Sequence, residues 1–256
     1  MTHISFEHDI FNNKIVLIPY TTDQEKSILL NKEMNSGFSI DGVLRILAPN
    51  IQMEQKEQNI FDLKSDLKKY ILLKLREHSV GEIIPVSVRC TECNKKFESS
   101  VDIQNLSIVP NKKIQMGNTI FESYNLTELN EPLTYDNMHL FLNVDEEITD
   151  DLTTSEQSAL RDFIQSNLKI VDFNFGCKCT FCKSKNNVNI SDDSFIISTM
   201  SEDSLINIYK TINILVYNGH YSKSDIEETI PFERNIYLGL VMETLEKQSQ
   251  FNSQKR

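Results

Sequence analysis

Apolar positions change their period several times along the chain, and each change marks an element. Lys14-Ile15-Val16-Leu17-Ile18-Pro19 is a short apolar run halted by proline, which predicts a strand. Thr22-Asp23-Gln24-Glu25 has capping-box spacing and opens a helix carrying Ile28, Leu29 and Leu30, with Gly37 at its end. Ile40 to Leu47 predicts a second short helix closed by Pro49, and the polar stretch 52–59 predicts a loop. Between Phe61 and His78, residues Leu63, Leu67, Tyr70, Ile71 and Leu75 recur at steps of three and four, on one helical face. The opposite face is mostly charged, so this helix is expected at the surface of a core or of a partner.

The period then shortens to two. Pro85–Arg89 reads as a strand entering Cys90, and Phe97–Ile103 as a strand leaving the turn that follows. Short strands are expected near 113–116, 119–124 and 139–143. After them come an acidic turn at 145–151 and a helix capped by Thr154 and Gln157, with Leu160, Phe163, Ile164 and Leu168 inward. A second strand, turn and strand unit runs from Val171–Phe175 through Cys177–Cys182 to Asn187–Ile190. Ser201-Glu202-Asp203-Ser204 precedes a helix carrying Leu205, Ile208, Tyr209, Ile212 and Leu215. The last helix begins after Pro231, with Ile236, Tyr237, Leu240, Val241 and Leu245 as its apolar stripe, and the polar residues 248–256 are expected to fray.

The two turns repeat one another. Val88-Arg89-Cys90-Thr91-Glu92-Cys93-Asn94-Lys95-Lys96 aligns with Cys177-Lys178-Cys179-Thr180-Phe181-Cys182-Lys183-Ser184-Lys185, and alternating Val and Ile follow each. Two residues between cysteines let a tight turn aim both sulfurs to one side, and two such turns supply the four thiolates that tetrahedral zinc accepts. The expected ligand set is Cys90, Cys93, Cys179 and Cys182. Four thiolates leave no position for water, so the site is expected to be structural. Cys177 could replace Cys179, but its spacing to Cys182 does not match the first pair. A redox dithiol is disfavoured because neither pair begins a thioredoxin-like helix.

These elements predict an α+β fold with helical segments around a discontinuous zinc-ribbon-like β module. Five segments are expected: 1–84, mainly helical; 85–110, the first knuckle half; 111–170, a mixed middle; 171–195, the second knuckle half; and 196–256, helical. With 39% apolar residues and only 7 glycines and 6 prolines among 256, the chain has the composition of a folded globular protein.

A net charge of -11 argues against a protein whose main work is gripping phosphate backbones, leaving only a local basic patch for that purpose. The N-terminus lacks a signal-peptide pattern and no run is long and apolar enough to span a membrane. A soluble protein made in a reducing cytoplasm is therefore expected, where cysteines serve metals rather than disulfides.

No phosphate loop, metalloprotease helix or nucleophile elbow is present. The histidines His3, His8, His78, His139 and His220 form no close motif, and His78 and His220 read as structural. Glu233-Arg234 reads as an exposed ion pair, favoured by the helix dipole, or as part of a contact, and the Tyr209 and Tyr237 faces read as packed core rather than cofactor boxes. No catalytic residue and no small-molecule substrate are expected.

The ordered segments resemble the hub-assembly protein family of T4-like bacteriophage baseplates. The resemblance is carried by Ile18-Pro19-Tyr20-Thr21-Thr22 with Glu25-Lys26, by the run from Leu67 to Gly81, and by both cysteine turns. Ile230-Pro231-Phe232-Glu233-Arg234-Asn235-Ile236-Tyr237 extends it, so that roughly residues 15 to 245 are covered. It implies a non-enzymatic component that binds other hub proteins of a contractile tail and assembles in the host cytoplasm, either leaving after assembly or staying in the virion baseplate. Two other readings compete. A zinc-containing nucleic-acid adaptor would use Lys95-Lys96, and a hydrolase or transferase would gather the scattered histidines and acids in a deep pocket.

Overall fold

The computed structural model describes residues 4–10, 13–54, 59–109, 112–116, 119–122, 133–142, 144, 146–167 and 169–254. Phe6–Ile10 (β1) and Asn13–Leu17 (β2) form a hairpin whose alternation buries Ile15 and Leu17. Helix Thr22–Met34 (α1) is capped by Thr21, whose hydroxyl accepts from the Gln24 amide while the Gln24 side chain accepts from the Thr21 amide. The cap thus falls one residue before the expected Thr22. Thr22 is itself buried and donates its hydroxyl to the Thr229 carbonyl at 3.0 Å.

Ser39 caps Ile40–Leu47 (α2), and Pro49 lies in the tight 3-10 turn that ends it. The stretch expected as a loop instead begins with a strand, Ile51–Met53 (β3), which adds to β2. Ile51 opposite Leu17 and Met53 opposite Ile15 supply the alternation that the polar neighbourhood hides.

Ser65–Ser79 (α3) is the spine of the main core rather than a surface helix. Leu67, Ile71, Leu72, Leu73 and Leu75 are buried, and so are Lys68, Lys74 and Arg76. Each buried cation is paired, as burial requires. Lys68 meets Asp41 at 3.1 Å, and Lys74 meets Glu77 at 2.8 Å and the Ile103 carbonyl at 3.2 Å. Arg76 donates to the carbonyls of Gly81, Ile83 and Thr199 and to Glu202, and burial pulls its pKa below the usual value. Gly81, at φ 142°, gives the turn after α3 a backbone that other residues rarely adopt.

Ile83–Arg89 (β4) and Lys96–Asp102 (β5) form the first long hairpin. Ser107–Ile108 (β6) then leads into a small second core built by Lys113–Met116 (β7), Thr119–Glu122 (β8), Met138–Leu142 (α4), Glu146–Asp150 (α5) and Thr154–Ser166 (α6). Helices replace the expected strand at 139–143 and the expected acidic turn. Met138 and Leu142 are buried while Leu140 between them is exposed, a pattern that a helical period gives and a period of two does not. The α6 cap is Thr153 with Glu156, again one residue early. Leu160 and Ile164 face inward as expected, Phe163 packs alongside, and Leu168 lies outside the described residues.

Val171–Asp172 (β9) pairs with β6 and closes this excursion at its base. Asn174–Lys178 (β10) and Lys185–Asn189 (β11) form the second long hairpin, which Asp193–Thr199 (α7) follows. Arg76, bonded to both Ile83 and Thr199, therefore ties the root of the first hairpin to the helix that follows the second.

The chain ends in Leu205–Gly219 (α8), Lys223–Glu228 (α9) and Pro231–Gln254 (α10). Their core holds Leu205, Ile208, Ile212, Leu215, Ile226 and Val241, with Leu29 from α1. Tyr209 on α8 is half exposed, and Ile236 and Leu240 face solvent because the buried stripe of α10 runs through Arg234 and Val241. Arg234 does not pair with Glu233 at the surface. It is 1% exposed and bonds Glu25 and Asp203. Residues 248–254 continue α10 instead of fraying.

Candidate metal centre

Both hairpins root in the main core and carry cysteines at their tips. Ile84, Val86 and Val101 of the first hairpin, with Phe173 and Ile190 flanking the second, are buried there, each contributing roughly 1.5–3 kcal/mol. The tips are built alike. In the first, the Cys90 amide donates to the Lys95 carbonyl and the Asn94 amide to the Cys90 carbonyl, both at 3.0 Å. In the second, the Cys179 amide donates to the Ser184 carbonyl at 2.9 Å and the Lys183 amide to the Cys179 carbonyl at 3.0 Å. Asn94 and Lys183 both take left-handed backbone, at φ 58° and 63°, which turns the chain back into its outgoing strand.

β5 and β10 touch, and this brings the tips together. Cys90 Sγ lies 3.5 Å from Cys182 Sγ, and Cys93 Sγ lies 3.7 Å from Cys179 Sγ. All four sulfurs fall within 4.8 Å of one another, and no cysteine is in a disulfide. A tetrahedral zinc ion with sulfur at about 2.3 Å requires sulfur–sulfur edges of about 3.8 Å. The four residues therefore fit a bound metal; Cys90 and Cys179 are buried, Cys93 is half-buried and Cys182 is exposed. Cys177 is outside this group. It lies in β10 opposite Asn186 and packs against the cluster's apolar flank.

The local field favours thiolate at some sulfurs and resists it at others. The Cys93 amide, the Ser184 hydroxyl and the Glu92 amide hold the Cys90 thiol down to about 5. The Ser184 hydroxyl and amide likewise lower Cys182. At Cys93 the Lys95 amide also lowers the pKa, but burial and the sulfurs of Cys182, Cys90 and Cys179 outweigh it and push the thiol up to about 11. Crowded thiols cannot all ionise alone, and a divalent cation removes that repulsion.

Two polar residues that the sequence pattern did not single out complete the centre. Ser184 Oγ lies 3.1 Å from both Cys90 Sγ and Cys182 Sγ. The buried Asn186 carboxamide accepts from the Thr91 amide at 3.0 Å and donates toward Cys90 Sγ at 3.7 Å, joining the second hairpin to the first. Their only sequence cue is a polar residue in or just after a cysteine turn, which is too common to be informative.

Among the described residues no histidine joins the cysteine cluster, and His3 lies outside them. His8 and His78 instead meet through Nε2 atoms 3.0 Å apart, with Phe6 stacked on His78 at 3.7 Å. A cavity of about 180 Å³ lined by Ser39, Ile40, Asp41, Ser65, Lys68 and Asp193 contains no histidine. No described helix is long and apolar enough to cross a membrane.

An α+β body whose two hairpins converge on a four-cysteine cluster defines a mixed fold with a zinc-ribbon-like module. The chain matches the family described as T4 bacteriophage base plate protein over residues 1–219, and the Baseplate hub assembly protein Gp51 C-terminal domain over residues 199–246. It belongs to the T4 bacteriophage base plate protein family and is a structural or assembly component of the phage baseplate hub that works through protein contacts. No curated protein and no solved structure matches it.

Proposed function

We propose that Cys90, Cys93, Cys179 and Cys182 hold one structural zinc ion, and that this ion fixes two hairpins so that the chain presents a rigid surface to its hub partners. The observation that carries the reading is the convergence of four sulfurs from two distant turns to within 4.8 Å. Zinc there supplies cross-linking rather than chemistry, because four thiolates leave no position open for water or substrate. The residues around it orient the thiolates: Ser184 and Asn186 by side chain, and Glu92, Cys93 and Lys95 by backbone amide. The chain has no catalytic role in this reading and assembles with other baseplate proteins in the host cytoplasm. The segments 1–84, 85–110, 111–170, 171–195 and 196–256 are proposed as its working units.

Capture of the intact chain from infected cells, followed by identification of what is bound, tests the role. Baseplate hub proteins are the expected partners. A clean monomer with no phage structural partner would count against it.

A further inference from the structure

The cysteine tips concentrate positive charge on an otherwise acidic protein. Within residues 89–96 and 178–185 lie Arg89, Lys95, Lys96, Lys178, Lys183 and Lys185, all exposed, and Glu92 is the one acid. Their contacts are with neutral groups. Arg89 donates to Asn94, Lys183 donates to the Thr180 carbonyl at 3.0 Å, and Lys95 Nζ stands 4.9 Å from the Phe181 ring centre. The strand register places Arg89 directly opposite Lys96 and Lys178 directly opposite Lys185. Like charges facing each other across a strand pair destabilise it, and the same arrangement occurs in both hairpins. A zinc ion with four thiolates carries a net charge of about −2, which offsets only part of this surplus.

Phe181 stands among these cations and is 56% exposed. An aromatic anchor with a charged rim is the arrangement that recognises a protein segment carrying both apolar and acidic side chains. Nucleic acid would use the same cations. It brings dense negative charge beyond the reach of two hairpin tips, however, where a chain of net charge -11 repels it. A short acidic segment meets the lobe alone.

We propose that the cationic lobe formed by both cysteine turns docks an Asp/Glu-rich segment of a partner protein, with Phe181 as its apolar contact. This deepens the assembly role and rests on the reading that metal holds the two tips together.

The test uses the full-length chain, with its zinc content measured in every sample. Binding of a dye-labelled Asp/Glu-rich peptide is followed by fluorescence anisotropy at two salt concentrations, beside a single-stranded DNA oligonucleotide of equal length. Substituting Lys178→Gln with Lys185→Gln removes a repulsive pair, so this variant keeps its fold and metal. Phe181→Ala, at an exposed position, is the second variant.

The expected result is salt-sensitive peptide binding that weakens about tenfold in Lys178→Gln/Lys185→Gln and also weakens in Phe181→Ala, with zinc content unchanged. Tighter binding of the oligonucleotide than of the peptide would overturn the proposal, as would no binding by a zinc-loaded chain. A self-complex that dissolves on the same substitutions would assign the lobe to a second copy and overturn it too. Absence of zinc from a chain that still binds the peptide would refute the metal reading alone.

Discussion

Arg234, in the first turn of the last helix, donates a buried hydrogen bond to the carboxylate of Glu25 in the first helix, so the two ends of the chain are joined inside the protein. Asp203 accepts from the same guanidinium at 3.1 Å, and Ser201 donates to Glu25 at 2.6 Å. Burial holds the Glu25 carboxyl above its usual pKa while Arg234 pulls against that rise. Asp203 and Arg234 lie in the region that matches the hub-assembly C-terminal domain, and Glu25 lies outside it. The network thus fastens one matched region to the other.

Breaking this pair from one side leaves a buried charge without its partner. Arg234→Met should therefore cost about 3–5 kcal/mol in urea denaturation, and adding Glu25→Met should recover part of the loss. In the single variant, the folded Glu25 pKa rises further above its unfolded value. Stability is then greatest below the unfolded pKa and is lost as pH climbs through the folded one. Additive losses in the double variant would contradict this account.

Asn186 is expected to govern how firmly the hairpins hold metal. Asn186→Leu removes the acceptor of the Thr91 amide and a donor toward Cys90 Sγ. Metal affinity, measured by competition with a chelator, should fall by about 10- to 100-fold. Unchanged affinity would show that the carboxamide does not support the thiolates.

The His8 and His78 pair makes stability depend on pH. Burial first, then the neighbouring His8 and Lys74, hold His78 down from 6.5 to about 4, and burial also lowers His8. The charged groups facing the pair are Lys74 and Glu77, of which only Glu77 favours protonation of His8. Between about pH 6.5 and 4 the unfolded chain binds more protons, so stability falls as pH drops through that window. The urea midpoint should drop less from pH 7 to pH 5 in His8→Gln/His78→Gln than in the native chain. Equal drops would contradict the assignment.

The cysteine turns were legible because metal-binding turns constrain residue type and spacing together. Cys90 aligns with Cys179 and Cys93 with Cys182, and the hairpins around them follow from period-two alternation. Helix positions were also legible, but their phase was less so. Thr21 with Gln24 and Thr22 with Glu25 are equivalent as candidate caps in sequence, but in the fold Glu25 is held by Arg234 and Ser201 while Gln24 closes the cap on Thr21. Lys68, Lys74 and Arg76 read as a solvent face, since a pattern of charges says nothing about buried partners elsewhere in the chain. The Arg234–Glu25 pair and the His8–His78 contact escaped for the same reason, because each joins residues that local periodicity cannot connect.

Zinc content of cysteine variants, measured by mass spectrometry on the purified full-length chain, tests the central claim most directly. About one zinc ion per chain is predicted for the native protein and for Cys177→Ser, with loss of zinc in Cys90→Ser, Cys93→Ser, Cys179→Ser and Cys182→Ser. Full zinc in Cys90→Ser and Cys179→Ser, or zinc lost only in Cys177→Ser, would contradict it.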